Sequence, residues 1–330
     1  MRHETRLLGE SVSEDKVLEA LLSGFDFLRR SQLPSGEFPT FRWRLGSDDK
    51  PEYVKTVFIT STVLHCLARL GHILDTSRMT EKAIGFVLGE VESGLWRFFG
   101  RGSRIHFDLD TTCSSLASLW ENSCCADYEA SAGFLLRYRN RNGAFNTWIL
   151  DVDPPFRKKD NIVDWVVNAN VLFFYNLLDW KLPKTEDYVI RVATSRRLDG
   201  RSPYYTSPLA FGYFLSRAYN DGHNPRLAQA ATSIRELVFR WKKDVMSSPL
   251  HASLSAATLI NFGTESRSPA LRNLESVLTN QLIQFAQLEE LPLEPLFDDG
   301  PIMSHQTLYG SPSLTMAILL ETLAKYLGRR

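Results

Sequence analysis

The sequence predicts an all-α fold, an (α/α)6 double-ring toroid, and three observations point to it. Segments with helical periodicity recur along the whole chain, whereas strand signals are nearly absent. Short runs of Gly, Pro, Asp and Ser separate these segments. They also alternate in kind: one is amphipathic and charged, the next is rich in small and apolar residues on every side. A helix apolar all round must be buried, while an amphipathic helix covers a core with one face. An inner ring of six helices inside an outer ring of six satisfies both patterns.

In chain order, an outer helix is expected over 15–32 and an inner one over 52–70. The next outer–inner pairs are 77–92 with 108–122 and 126–140 with 161–178. The last three are 185–197 with 206–219, 225–243 with 249–262, and 268–287 with 311–327. Several inner helices open on a capping residue or a first-turn proline, at Asp108, Pro208, Pro249 and Pro312, where proline forfeits no hydrogen bond. The longest irregular stretch is 288–300, expected as a lid or closing loop. No Pro-rich or Gly/Ser-rich linker divides the chain, so residues 1–330 read as a single domain.

Composition narrows the partners. Lys plus Arg equals Asp plus Glu at 38 each, and nucleic-acid binding needs a basic excess. No run approaches the roughly 20 apolar residues of a membrane span. Residues 1–10 carry no apolar signal core, and the cysteines (Cys66, Cys113, Cys124, Cys125) form no Cys-x-x-Cys pair. Reduced thiols, no protein-bound metal and a cytoplasmic setting are therefore expected.

Three segments, 24–38, 82–96 and 131–145, align with one another. Each carries an aromatic-aliphatic pair near the end of an outer helix, then a Gly-x-aromatic turn: Gly36 with Phe38, Gly94 with Trp96, Gly143 with Phe145. The glycine permits the reversal, and the aromatic packs beneath it. After the second turn come Asp108, Leu109, Asp110, Thr111 and Thr112, opening an inner helix. With Asp108 as the N-cap, Asp110 falls in the first turn, where amide N–H groups favour a carboxylate. Burial opposes ionisation. An acid kept neutral by its surroundings, whose conjugate base is nevertheless supported, is what protonation of a weakly basic alkene requires.

The repeats resemble the QW repeats of squalene-hopene cyclases and, more loosely, the repeats of protein prenyltransferase β subunits, over the first half of the chain. Only Gln32 keeps the repeat glutamine and only Trp96 the tryptophan. Residues 108–112 resemble the Asp-x-Asp-Asp motif of class II terpene cyclases, and more nearly the Asp-x-Asp-Thr-Thr variant of bacterial drimenol-type sesquiterpene cyclases. The resemblance implies that Asp110 is the Brønsted acid, supported by Asp108 and Thr111, the latter standing where relatives carry a third aspartate. It implies an isoprenoid diphosphate substrate such as farnesyl diphosphate, Mg²⁺ carried with that diphosphate, and no organic cofactor. Many relatives build the pocket between two helical domains, so a partner domain or a homo-oligomer stays open.

A carbocation needs a dry, aromatic-lined cavity. Phe58, Trp165, Tyr204, Tyr205 and Tyr309 are the inner-helix aromatics expected to line it, with Asn168 (beside Asn170) as a polar contact. Lys55, Arg42, Arg44 and residues 157–159 are the candidate diphosphate cations, and Asp298–Asp299 the candidate Mg²⁺ contact. Two other classes stay open. One is a carbohydrate-active (α/α)6 enzyme pairing Asp110 with Asp164. The other is a non-catalytic toroid that binds a prenyl chain, a lipid or a protein.

Overall fold

Inner and outer helices alternate along the computed structural model, which describes residues 13–150, 161–195, 198, 200–263 and 269–329. In chain order the helices are α1 (Glu14–Ser31), α2 (Val57–Leu70), α3 (Ser77–Gly89), α4 (Leu109–Glu121) and α5 (Tyr128–Leu135). They continue as α6 (Trp165–Leu177), α7 (Pro183–Ala193), α8 (Pro208–Asn220), α9 (Ala231–Arg240) and α10 (Lys242–Ser247). α11 (Pro249–Phe262), α12 (Pro269–Ala286) and α13 (Pro312–Gly328) complete the series.

Helix α2 packs on α4, α4 on α6, α6 on α8, α8 on α11, α11 on α13, and α13 back on α2. That closed cycle is the inner ring. Around it α1 and α12 lie on α13, α3 on α2, α7 on α6, and α9 on α8 and α11. The Tyr175 hydroxyl donates to the Ala132 carbonyl and fastens α5 to α6. The chain is thus an (α/α)6 double-ring toroid. Two expected segments are corrected. The stretch 52–70 opens as a strand, and the helix starts only at Val57. The stretch 225–243 divides into a 3-10 turn (Pro225–Ala230), α9 and α10.

All six inner helices enter from an extended residue: Thr56, Asp108, Asp164, Ser207, Ser248 or Ser311. Five of these accept a backbone N–H of the first turn on a side-chain oxygen, each cap contributing about 1 kcal/mol. Thr56 is the exception, its hydroxyl sharing a 2.5 Å hydrogen bond with Thr40 instead.

The three Gly-x-aromatic turns share one clamp. Gly36, Gly94 and Gly143 all sit at positive φ. The backbone N–H of the turn aromatic then donates to the side chain four residues past the helix cap: Phe38 to Thr60, Trp96 to Thr112, Phe145 to Asn168. The aromatic rings lie beneath and are nearly fully buried. Burying each ring stabilises by roughly 2–3 kcal/mol.

Short strands, nearly invisible to periodicity, tie the rim together. β1 (Thr40–Arg44), β2 (Glu52–Val54), β5 (Pro295–Asp298) and β6 (Thr307–Gly310) form an antiparallel sheet in the order β2-β1-β6-β5. β3 (Phe107–Asp108) pairs with β4 (Trp148–Ile149). Register Phe41–Gly310 through Arg44–Thr307 joins the beginning of the ring to its end. Residues 288–300 are therefore a closing element: β5 lies in the sheet, and the Leu296 carbonyl accepts the Thr206 N–H.

Candidate functional site

Helix α4 presents the acid as its cap chemistry dictates. Asp108 Oδ1 accepts the Thr111 N–H at 2.6 Å, so Asp110 falls in the first turn. Two inner-ring neighbours reach it. Asn170 Nδ2 on α6 donates to Oδ1 at 2.6 Å. The Tyr205 hydroxyl, just before α8, donates to Oδ2 at 2.5 Å. Asn170 in turn takes a hydrogen bond on its Oδ1 from the buried Arg217 guanidinium of α8.

Burial pushes the Asp110 carboxyl up to about 8, and the nearby Asp108 and Asp164 charges add to the rise. The Tyr205 and Asn170 donors act the other way, by stabilising the ionised form. Asp108 itself is raised by burial to about 7, and its Oδ2 is buried without a hydrogen-bond partner. Desolvation wins over hydrogen bonding at Asp110, so the acid holds its proton near neutrality while its conjugate base finds two donors in place.

Asp110 faces a chamber of about 930 Å³. Its walls include Trp43, Phe98, Phe99, Trp148, Tyr204, Phe297 and Tyr309. These rings interlock: Phe98 lies 5.7 Å from Phe297 and 5.9 Å from Tyr309, and Trp148 5.8 Å from Tyr204. The Trp148 indole donates to the Tyr204 hydroxyl at 2.9 Å. Exposed Arg42, Arg44, Lys50 and Arg104 mark the mouth together with Asp49 and Glu52, and Arg42 pairs with Glu52 at 3.1 Å.

Of the residues singled out from sequence, Asp108, Asp110, Tyr204, Tyr309, Arg42, Arg44, Asp298 and Asp299 line this chamber, whereas Tyr205 donates to the acid without lining the chamber. Phe58 is fully buried one layer back, stacked edge-on to Phe297 at 5.0 Å. That placement corrects the expectation for Phe58, and four others are corrected as well. Lys55 pairs with Glu90 at 2.8 Å and does not line the chamber. Trp165 is half-buried against the core, outside the chamber lining. Asn168 is spent on the third turn: its Oδ1 takes the Phe145 N–H, and its Nδ2 donates to the Phe145 and Asp164 carbonyls. The polar contact to the acid belongs to Asn170, two residues on. The Thr111 hydroxyl does not bond Asp110. Residues 157–159 lie outside the described residues.

Asp298 is held by Arg201, His305 and the Gly300 N–H. Asp299 keeps one buried oxygen without a hydrogen-bond partner. Asp164, fully buried, caps α6 with one oxygen and accepts from Ser202 and the Tyr204 N–H with the other, so it does not face the chamber. At the far end of the ring, ligand atoms of His65, Asp221 and Glu321 lie within 4.8 Å of one another. The Lys325 ammonium already bonds both carboxylates at 2.6 Å, so that cluster holds an internal cation.

Sequence reasoning missed Phe98, Phe99, Trp148, Phe297 and Arg217. Two signals pointed to some of them. An aromatic follows the second and third turn aromatics at a spacing of three, Phe99 after Trp96 and Trp148 after Phe145. Arg217 is a charge inside a helix that must be buried.

No protein-family model matches this chain, and no curated protein does. Solved structures do. The type II terpene cyclase MstE from Scytonema superposes with a TM-score of 0.70 at 12% identity, over 96% of this chain and 100% of that one. A protein from Actinoplanes gives 0.71 at 15% identity, over 94% and 99%. An unsaturated glucuronyl hydrolase specific for heparin gives 0.64 at 12% identity, over 96% and 98%. Likeness at these identities is a likeness of fold. Among the described residues no helix is long and apolar enough to cross a membrane.

Proposed function

We propose that this chain is a class II-type terpene cyclase in which Asp110 starts ring closure on an isoprenoid diphosphate such as farnesyl diphosphate. The observation that carries the reading is a carboxyl group held neutral by burial, hydrogen-bonded on both oxygens, and opening onto an aromatic-walled chamber. With each oxygen already accepting one donor, the acid proton occupies a remaining lone-pair site. It adds to the CH carbon of the terminal double bond, the alkene supplying the bonding pair and leaving a tertiary cation on the dimethyl-bearing carbon. Internal alkenes then attack in turn, each closing a ring and passing the charge along. Loss of a proton or capture of water ends the sequence. The spent Asp110 carboxylate rests on Tyr205 and Asn170.

The aromatic walls serve the cation by offering π faces that attract positive charge without a nucleophilic atom. Arg44, Lys50 and Arg104 stand at the mouth where an anionic head group would remain, while Arg42 there is paired with Glu52 at 3.1 Å. Asp299, with its spare buried oxygen, is the residue suited to a Mg²⁺ ion arriving on the diphosphate, a metal that keeps one or two carboxylates and the phosphate oxygens as ligands. Such an ion would offset diphosphate charge. No ionisation of the diphosphate enters this reading, so the product keeps it.

The same fold serves saccharide chemistry in the glucuronyl hydrolase neighbour. That alternative loses the partner it named, since Asp164 is committed to capping α6. Asp108, Asp298 and Asp299 share the chamber lining with Asp110.

The test is incubation with farnesyl and geranylgeranyl diphosphate plus Mg²⁺, followed by dephosphorylation and mass-spectrometric product analysis. A variant of MstE has been solved in complex with geranylgeranyl dihydroxybenzoate as substrate, so a prenylated aromatic acid belongs in the panel. Cyclic product from the native chain and none from Asp110→Asn supports the assignment. Equal turnover by both removes Asp110 from the role.

A further inference from the structure

Arg217 is unusual in this molecule. It is 1% exposed, and among the described residues no carboxylate lies within 4.0 Å of it. Its guanidinium sits over the Phe173 ring at 4.5 Å and the Phe214 ring at 4.9 Å. Nε is buried without a partner. A buried cation with no carboxylate in contact is costly, and the rings and one amide are what offset that cost. Its one polar contact from the guanidinium is Asn170 Oδ1, and Asn170 Nδ2 is what touches Asp110.

The chemistry of those three groups fixes their order. Guanidinium only donates, so the amide oxygen of Asn170 must turn to it. The amide NH₂ then has to face Asp110. Reversing the amide would set a carbonyl against the acid, and that carbonyl would accept the acid's own proton. The proton would then point into the wall between α4 and α6 instead of into the chamber.

We propose that Arg217 is the positioning residue of this site. It locks the Asn170 amide so that Asp110 directs its proton into the chamber and leaves its conjugate base facing a donor backed by a permanent positive charge. As a contribution to turnover, this rests on the cyclase reading; as a statement about Asp110, it does not. The titratable and charged groups around Asp110 are Asp108 and Cys113 on its own helix, Asp164 at the start of α6, Tyr205 before α8, and Arg217 on α8.

The lock is tested on the whole chain by carbon-13 NMR titration of the Asp110 carboxyl, assigned by its loss in Asp110→Asn. Arg217→Met should make Asp110 titrate roughly one pH unit higher. It should also lower kcat about tenfold at constant KM. Arg217→Lys, which keeps a cationic donor, should recover most of both. An Asp110 titration unchanged in a folded Arg217→Met protein overturns the proposal. If that variant does not fold, the native protein still decides. Slowly exchanging Asn170 NH₂ protons coupled to the Asp110 carboxyl carbon support the lock, and freely exchanging ones overturn it. If no prenyl substrate turns over, the cyclase reading fails while the titration continues to judge the lock.

Discussion

At the scale of single residues, Asp110 sets stability and activity against each other. Its pKa is raised from 3.8 to about 8, so the folded state binds a proton that the unfolded chain has released over most of that range. Its contribution to stability is present below pH 4, declines as pH rises, and is lost above about 8. Asp110→Asn should therefore stabilise the fold at pH 8–9, by on the order of a few kcal/mol, and change little at pH 4. Thermal unfolding across that pH series checks it, and equal stabilisation at every pH would contradict the buried-acid account. Native kcat should fall as pH rises through about 8, because only the neutral acid delivers a proton. Tyr205→Phe removes one donor from the spent carboxylate and leaves a fully buried ring in place. We expect roughly 10- to 100-fold lower kcat and a stability cost of only about 1 kcal/mol.

At the scale of elements, the turn glycines are not equivalent. A methyl group at Gly143 would lie 2.6 Å from the Lys184 backbone, and at Gly36 only 2.0 Å from the Lys82 carbonyl. At Gly94 it would meet nothing within 4 Å. Left-handed strain alone costs about 1–2 kcal/mol. Gly94→Ala should cost about that much, and Gly143→Ala distinctly more, because helix α7 must retreat from the turn. Denaturant unfolding of the two variants checks the order, and equal losses would show that φ alone matters. The clamp explains why Asn168 does not meet the acid. On paper, two asparagines in an apolar helix are equally plausible contacts to a ligand. Position four after the cap consigns Asn168 to the turn, and a further half-turn carries Asn170 to the acid.

Across the whole molecule, the two ends of the ring differ in chemistry. The Asp110 end carries the rim sheet and the chamber. The other end is closed by polar contacts among helices of the inner ring: His65 and Arg69 on α2 meet Glu121 on α4, and Lys325 on α13 bonds Asp221 at the end of α8 and Asn261 on α11. Burial pushes the Glu321 carboxyl up, but Lys325 and His65 outweigh it and hold it well below its ordinary value. Lys325→Met leaves two buried carboxylates without that cation and should destabilise by about 3–5 kcal/mol. Calorimetry checks the loss, and a near-neutral result would mean that water or His65 already compensates the pair.

The alternation of amphipathic and all-apolar helices, the three turn glycines and the cap at Asp108 were legible in the sequence, because each depends on contacts within a few residues. The double ring and the first-turn place of Asp110 rest on that local information, whereas the ring's closure by β1 and β6 pairs Phe41 with Gly310 and does not. The partners of the acid did not emerge this way. Tyr205 and Asn170 stand 95 and 60 residues from Asp110, and Arg217 reaches it only through Asn170. Which side chain on a buried helix meets which neighbour is decided by the rotation of each helix in the closed ring. That rotation minimises unfilled volume and unpaired polar atoms over all six helices at once, and no single segment of the chain encodes it.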